Sequence, residues 1–460
     1  MPASSARRRE VGKAMTQTAP LAGAPERIRT PAEIALGDWF RARDGAGALA
    51  EARRAAFELF DRTGLPHRRI EAYKYSDLRA RLRSLPAPAA PADEAAVRHV
   101  LDAAGALEGL EPIRLVIANG RFAAGLSDDV SGIAGLAVEA VTDLHVPAGL
   151  GDLARANEDP LALLNASLFE GGVSIAVAPG ATIARPIEIV FAMTGPAPAT
   201  AMPRVLVAVG EGASAAIVER HGLAGLAGTV SNALTELSVG AGASVSYVKM
   251  HGEGPEASHF ATLFARIADR SRLEHLTVSF GAGFSRSQVF ASVEGGEAEA
   301  IFSTATIATG GRHADTTLVV NHVAPGSTSR EFFRSVIGTG GRAVVQGQIL
   351  VQQPAQKTDA RMLSNALFLD DTGESVNKPE LEIFADDVQC GHGATSGELD
   401  GEMLFYLRSR GVPRRDAERM LVEAFLLEAV DNVTREDVRA AVAARLMAAL
   451  HAEETMAVAD

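Results

Sequence analysis

The segment VQCGHGATSGELD, Val388 to Asp400, holds the only cysteine of the 460 residues, Cys390, with His392 two positions later. In an extended chain residues i and i+2 face the same side, so thiol and imidazole share a surface. Two chemistries fit them. A thiolate and a neutral imidazole are a soft metal-ligand pair. Alternatively Cys390 is a nucleophile and His392 its base. The plain reading is that Cys390 is a small buried hydrophobe. Gly391 and Gly393 let the backbone around His392 approach something closely, and Glu398 and Asp400 follow as acidic candidates. An iron–sulfur cluster usually takes four cysteines, with histidine an occasional substitute. One cysteine and one histidine cannot complete such a site. Iron bound here must take its remaining ligands from another chain.

Other chemistries find less support. The only Gly-Lys pair, Gly12-Lys13, is followed by alanine, so there is no nucleotide-binding P-loop. The metalloprotease pattern HExxH and the hydrolase pattern GxSxG are absent. The eleven histidines look scattered, with His313, Asp315 and His322 in strand-like segments. Asp370-Asp371 and Asp386-Asp387 are the carboxylate pairs that a polysaccharide-active enzyme would need. Adjacent strand residues point to opposite faces, so neither pair is preset to share a substrate.

The elements that must position these residues change along the chain. Residues 1–30, rich in Ala, Pro, Arg and Thr, read as a disordered lead with a second candidate start at Met15. Thr30-Pro31 is an N-cap followed by proline at the first helical position, and Gly64-Leu65-Pro66 ends the second helical stretch. Residues 31–165 read as a mainly helical N-terminal region. From 166 to 395 the texture is strand-like. PGATI at Pro179, EGASAAI at Glu211 and AGASVSYV at Ala241 repeat a glycine turn followed by alternation, at a spacing of about 30 residues. GGEAEAIF at Gly295 and RSRLEHLTV at Arg270 are weaker copies. Stacked units of this kind form a continuous core that no single unit can build. The expected fold is mainly β, a right-handed β-helix (solenoid) with a helical N-terminal region and a C-terminal helical domain over 396–460.

In that last domain Met403, Leu404 and Leu407 share a face before Gly411, and Ala417, Met420, Leu421, Ala424 and Leu427 have helical spacing. Thr434 and Asp437 suggest a capping box for the last helix. Three short helices make a poor core alone, so they pack on the solenoid end or on a partner. The net charge of −13 argues against nucleic acid or an anionic membrane as partner. No apolar run reaches the ~18 residues of a membrane span. A single cysteine fits a reducing compartment such as the cytoplasm.

Several segments resemble a known family. KPELEIFADDVQCGHGATSGELDGEMLFYLRSRGVPRRDAERMLVEAF, Lys378 to Phe425, is similar to the C-terminal end of the SufB/SufD family of iron–sulfur assembly proteins. QKTDARMLSNALFL and NHVAPGSTSREFFRSVIGTGGRAVVQGQILV resemble the segments before it. PHRRIEAYKYSDL resembles the P-x-R-x-x-E-x-W-K-Y-T stretch of the SufD branch, with Tyr73 in place of Trp and Ser76 in place of Thr. The usual C-S-H-G-A-T reads C-G-H-G-A-T here, with Gly391 in place of serine.

The resemblance implies a non-catalytic scaffold of the SUF assembly complex that pairs with a SufB paralogue through the β-helices. It places His392 and, less firmly, Cys390 at that interface, where iron or a nascent iron–sulfur cluster is held transiently with the partner's ligands. It implies that helices between Leu399 and Val430 dock the ABC-type ATPase SufC, which hydrolyses the ATP. Leu399, Met403, Leu404, Tyr406, Leu407, Arg410, Met420 and Phe425 are the candidate contacts. A chain without its partner could pair with itself. The family complex is associated with reduced flavin, but no residue here marks a flavin site. The competing expectations are a solenoid enzyme acting on polysaccharide and a purely structural adaptor in which Cys390 only packs.

Overall fold

The computed structural model describes residues 28–459, apart from 44, 46, 156 and 224–226. Most of the expected lead, including Met15, lies outside them. Four helices come first, α1 (Pro31–Ala42), α2 (Ala50–Thr63), α3 (Leu78–Arg81) and α4 (Glu94–Ala104). The Thr30 hydroxyl accepts from the Glu33 N–H and the Glu33 carboxylate accepts from the Thr30 N–H, closing a capping box before Pro31. Gly64, at φ +72°, stops α2.

The N-terminal region is helical as expected, but it also holds three short strands after α4. The chain continues as β1 (Ile113–Ala118), β2 (Arg121–Phe122) and β3 (Leu136–Val141), and only then forms α5 (Pro160–Leu168). The run IRLVIA is short and branched, as suits a buried strand, and all of β1 but Arg114 is buried.

The solenoid strands are β4 (Gly172–Val177), β5 (Ile187–Ala192), β6 (Thr200–Ala201), β7 (Arg204–Val209), β8 (Ser214–Leu223), β9 (Val230–Val239) and β10 (Ser244–His251). They continue as β11 (Ser258–Ile267), β12 (Arg272–Ser279), β13 (Phe284–Val293), β14 (Glu299–Ala308), β15 (His313–His322) and β16 (Thr328–Ile337). The last are β17 (Arg342–Val351), β18 (Asp359–Phe368), β19 (Glu374–Ile383) and β20 (Gln389–Gly397), before helices α6 (Gly401–Ser409), α7 (Arg414–Val430) and α8 (Glu436–Ala459).

The strands form two ten-stranded sheets. The first runs β2-β1-β5-β8-β10-β12-β14-β16-β18-β20, and the second runs from β19 back through the odd-numbered strands to β7, β4 and β3. From β7 onward each strand pairs in parallel with the strand two later, so the chain alternates between the sheets and winds into a solenoid.

The repeated turns form one corner of it. At φ values of +71°, +64° and +65°, Gly180, Gly212 and Gly242 each donate their N–H to the next coil, to Glu211, Ala241 and Asp269. Arg270 and Glu297, at +51° and +57°, continue the ladder toward Gly296 and Pro325. The two weak copies are thus rungs of the same ladder. They are weak because a side chain occupies the left-handed position there, at a cost of about 1–2 kcal/mol.

The lumen is filled by residues such as Ile217, Tyr247, Phe302 and Met362 from the first sheet. On the outside, α1, α2 and α5 cover the second sheet, with Leu36, Phe57, Phe60 and Leu163 packed on Leu206, Phe260 and Phe284. The segment around Tyr73 docks there too. The Tyr73 hydroxyl bonds Asp159 at 2.7 Å and Gln288 at 3.2 Å, and Ser76 bonds His313 and Asp315. His313 and Asp315 therefore serve this docking, while His322 is held by Ser327 and Ser329 at 2.8 and 2.9 Å.

The C-terminal helices depart from expectation in four ways. Helix α8 has 24 residues, so the set is not uniformly short. Helices α7 and α8 lie along the outer face of the first sheet, not on the solenoid end, because Val248, Met250, Leu276 and Val278 offer an apolar face there to Leu426, Val430, Val442 and Leu446. Helix α7 buries Ala417, Val422, Leu426, Ala429 and Val430. Met420 and Ala424 of the expected face point outward, since the sheet meets the helix about one residue round from the predicted stripe. Thr434 and Asp437 do not form a capping box. The Thr434 hydroxyl and N–H bond the buried Glu274 carboxylate, and Asp437 holds Arg435. No described helix is long and apolar enough to cross a membrane.

Candidate functional site

Strand β20 is the last of the first sheet and, among the described residues, bonds only β18, which leaves its outer edge unpaired. Its register sets Cys390 beside Ala360 and His392 beside Met362. Ala360 and Met362 are 0% and 3% exposed and face the lumen core, against which Cys390 also packs. Cys390 and His392 are therefore on one side of the sheet, as their spacing predicts, at the mouth of the lumen. Cys390 is half-buried and His392 exposed. An open trough alongside is lined by Arg330, Phe332, Arg361, Leu363, Cys390 and His392.

Gly391 does not serve close backbone approach within the chain. A Cβ there would meet nothing within 4 Å, and its φ is not left-handed. A serine at this position, as the family usually has, would fit without displacing anything.

Sequence reasoning missed a third group, Glu331. The register aligns Glu331, Met362 and His392 in one row across β16, β18 and β20. Two strand spacings separate Glu331 from His392, or ~10 Å. Burial pushes the Glu331 carboxyl up to about 8, against the Ser329 hydroxyl and the Arg330 guanidinium. Counting back from His392 by the coil repeat was the signal that could have found it.

Burial also raises the Cys390 thiol, opposed by a hydrogen bond from the Ala360 backbone and reinforced by the Asp359 and Glu331 carboxylates. In the isolated chain the thiol is accordingly held in its protonated form. Iodoacetamide at about pH 8 should alkylate folded Cys390 several-fold more slowly than free cysteine. A rate equal to or above that of free cysteine would refute this electrostatic picture.

The nearby acids do not join the pair. Asp400 caps α6 by accepting from the Glu402 and Met403 N–H groups, and Glu398 is exposed. Asp359 is held by Arg330 and Arg361 at 2.9 and 3.2 Å. Among the described residues, no third His, Cys, Asp or Glu completes a metal-ligand group with Cys390 and His392. The carboxylate pairs likewise find separate uses. Asp370 accepts from the Thr339 and Thr372 N–H groups in a turn, and Asp387 pairs with Lys357.

A second surface lies on the helices. No residue of α6 is buried. Met403 and Tyr406 are 55% and 53% exposed, and Phe405, which the sequence reading passed over, is 73% exposed. Arg410 lies over the Tyr406 ring at 4.8 Å, and Met420 of α7 is exposed. Leu404 and Leu407 are partly covered. Leu399 and Phe425 pack instead on the core beneath α7 and α8, so they support this surface from below.

Residues 191–425 match the core domain of the SufBD proteins of the SUF system for FeS cluster assembly, and residues 42–189 match the SufBD N-terminal region. The chain belongs to the SufBD family. It is 31% identical to the iron–sulfur cluster assembly protein SufD of Escherichia coli K12, over 84% of this chain and 89% of that protein. It is 29% identical to a SufBD family protein of Synechocystis, over 84% and 87% of the two chains. A chloroplastic protein of Arabidopsis thaliana is 28% identical over 52% of this chain. The SufBD core match spans the solenoid from the end of β5 onward, the edge strand β20 and the start of the helical surface. The match to the SufBD N-terminal region includes the Tyr73 segment that docks on the second sheet.

Proposed function

We propose that this chain is the SufD-type scaffold of a cytoplasmic SUF complex and pairs with a SufB paralogue through the open end of its solenoid. The observation that carries this reading is β20, an unpaired edge that presents a sulfur and a nitrogen donor at the lumen mouth without enough neighbours to complete a metal site. An unpaired edge offers a row of N–H and C=O groups to another chain. Leu363, Leu369, Ile383 and Phe384 add exposed apolar side chains at the same end. Iron or a nascent iron–sulfur cluster is the cargo, held transiently between His392, Cys390 and the partner's ligands. The exposed face of α6 with Met420 docks an ABC-type ATPase such as SufC, and ATP hydrolysis belongs to that partner.

The half-buried, protonated state of Cys390 favours His392 as the principal ligand on this side. It also lends some weight to the adaptor reading, in which Cys390 only packs. Anaerobic co-purification with the paralogue and the ATPase tests both. His392→Ala should lower iron–sulfur content in the complex by at least tenfold, while the exposed position leaves chain stability within about 0.5 kcal/mol. Cys390→Ala should have the smaller effect. If both variants assemble clusters at the parent level, the adaptor reading replaces the ligand reading. If no partner is recovered, the scaffold reading itself fails.

A further inference from the structure

The histidines that look scattered in the sequence are partly gathered in the fold. His221 near the end of β8 stands directly beside His251 at the end of β10. Glu253 follows in the loop that crosses to the second sheet, and His259 is the second residue of β11. Ligand atoms of His221, Glu253 and His259 lie within 4.8 Å of one another, and all three residues are buried. The coil repeat creates this convergence, because a His-Gly pair recurs at 221 and 251 and the pairs stack.

The backbone locks the loop in place. A Cβ on Gly222 would come within 2.7 Å of the Glu253 nitrogen, and one on Gly281 within 2.3 Å of the Gly252 carbonyl carbon. The Gly252-Glu253 segment is thus held by backbone on both sides, and the Glu253 carboxylate is fixed toward the histidines.

A second observation points to a ligand. His251 and His259 are 1% and 0% exposed, yet among the described residues neither nitrogen of His251 and not Nε2 of His259 has a hydrogen-bond partner. His259 Nδ1 is 2.7 Å from a Glu253 oxygen and pairs with that carboxylate, which leaves Nε2 as the nitrogen without a partner. Buried polar groups are normally paired, and leaving one unpaired costs about 1–3 kcal/mol. Three buried ring nitrogens without partners beside a carboxylate leave room for a ligand.

We propose that His221, Glu253 and His259 form a buried site for a divalent first-row transition-metal ion. Two imidazoles and one carboxylate are the donor set of zinc and non-haem iron sites, and their nitrogens disfavour calcium and magnesium. Ligand atoms ~2.1 Å from a tetrahedral ion stand ~3.4 Å apart, so the widest pair must close while His259 Nδ1 and the Glu253 oxygen, 2.7 Å apart, must open. His251, stacked on His259 at 4.5 Å with Nδ1 3.8 Å from Glu253, is placed as a fourth donor or an outer support. Lys249 Nζ lies 3.1 Å from His221 Nε2, and Glu219, 3.1 Å from Lys249 and 3.2 Å from the same nitrogen, offsets that ammonium. The site is separate from Cys390 and His392 and does not depend on the proposed partners.

The test uses the full chain carrying Cys390→Ser and His392→Ala, so that the edge pair contributes nothing. The protein is expressed in cobalt-supplemented medium, so that Co²⁺ is present while the chain folds around a buried site. A second preparation is stripped with chelator and titrated with Co²⁺. The expected result is a single ion per chain with the visible d–d absorption of a low-symmetry nitrogen–oxygen site, displaced by Zn²⁺. Glu253→Gln and His259→Gln should each abolish the absorption. His251→Asn should weaken binding by about tenfold to a hundredfold. Absence of cobalt from both preparations overturns the proposal whether or not the variants fold. So does an unchanged spectrum in variants whose circular dichroism matches the parent.

Discussion

Lowering the pH from about 7 to about 4.5 should unfold this protein. His275, His313 and His322 are buried neutral, and burial lowers each from the ordinary 6.5 to about 4. Below pH 6.5 the unfolded chain takes up protons that the folded chain refuses, so stability falls as the pH falls. The loss continues until the folded values near 4 are reached. Each histidine contributes about 1.4 kcal/mol per pH unit in that window. Three together lose about 4 kcal/mol per unit, against a total stability of roughly 5–15 kcal/mol. His221, lowered to about 3 by burial and by the Lys249 ammonium, acts in the same direction. Urea unfolding midpoints at pH 7, 6 and 5 measure the effect. His322→Asn, which keeps a polar group beside Ser327 and Ser329, should take one histidine's share, about 1.4 kcal/mol per pH unit, off the slope. Midpoints that stay level over this range would show that these imidazoles are protonated in the folded chain.

Arg286→Met should destabilise the chain by about 3–5 kcal/mol, because it strands a buried carboxylate. Arg286 and Asp315 are both fully buried and paired at 2.5 Å. The guanidinium also donates to Gln288 and to the Ala72 carbonyl and lies 4.1 Å over the Tyr73 ring. It therefore joins the N-terminal region to the second sheet, and its loss should expose the 66–78 segment to protease before the solenoid unfolds. Adding Asp315→Leu removes the stranded charge and should recover much of the stability. If the single variant is as stable as the parent, the pair does not hold the two regions together. Equal protection of the segment in both proteins would say the same.

Much of the architecture was legible because the glycine turns recur. Gly180, Gly212 and Gly242 announce a left-handed corner, and the alternation after each announces a strand. Arg270 and Glu297 were hard to read because the same corner is imposed on side chains that do not ask for it, by the coils on either side. The pairing of Cys390 with His392 was legible from the two-residue period alone. Glu331 was not, because its burial depends on register summed over two coils. Tyr73 and Ser76 could be recognised by resemblance, but their partners Asp159, Gln288 and His313 are 86, 215 and 237 residues away. Local pattern carries no trace of such distances. The exposure of Phe405 was equally hidden, since a helix with apolar residues reads as one that packs.

The solenoid also works as a ruler. Helix α7 is fixed to β14 and β16, whereas the unpaired edge is β20. Two strand spacings, ~10 Å along the axis, therefore set how far the edge extends beyond that anchored helix. Because the corners stack coil upon coil, this length can change only in steps of one whole coil, about 30 residues or ~4.8 Å. Smaller differences are absorbed in the turns, since Arg272 pairs with Glu299 and Thr328 with Asp359 although the first coil is shorter than the second, and the rows stay aligned. Two chains that meet edge to edge must hold their helical surfaces at a separation fixed by coil number, and natural length variation should leave that number unchanged.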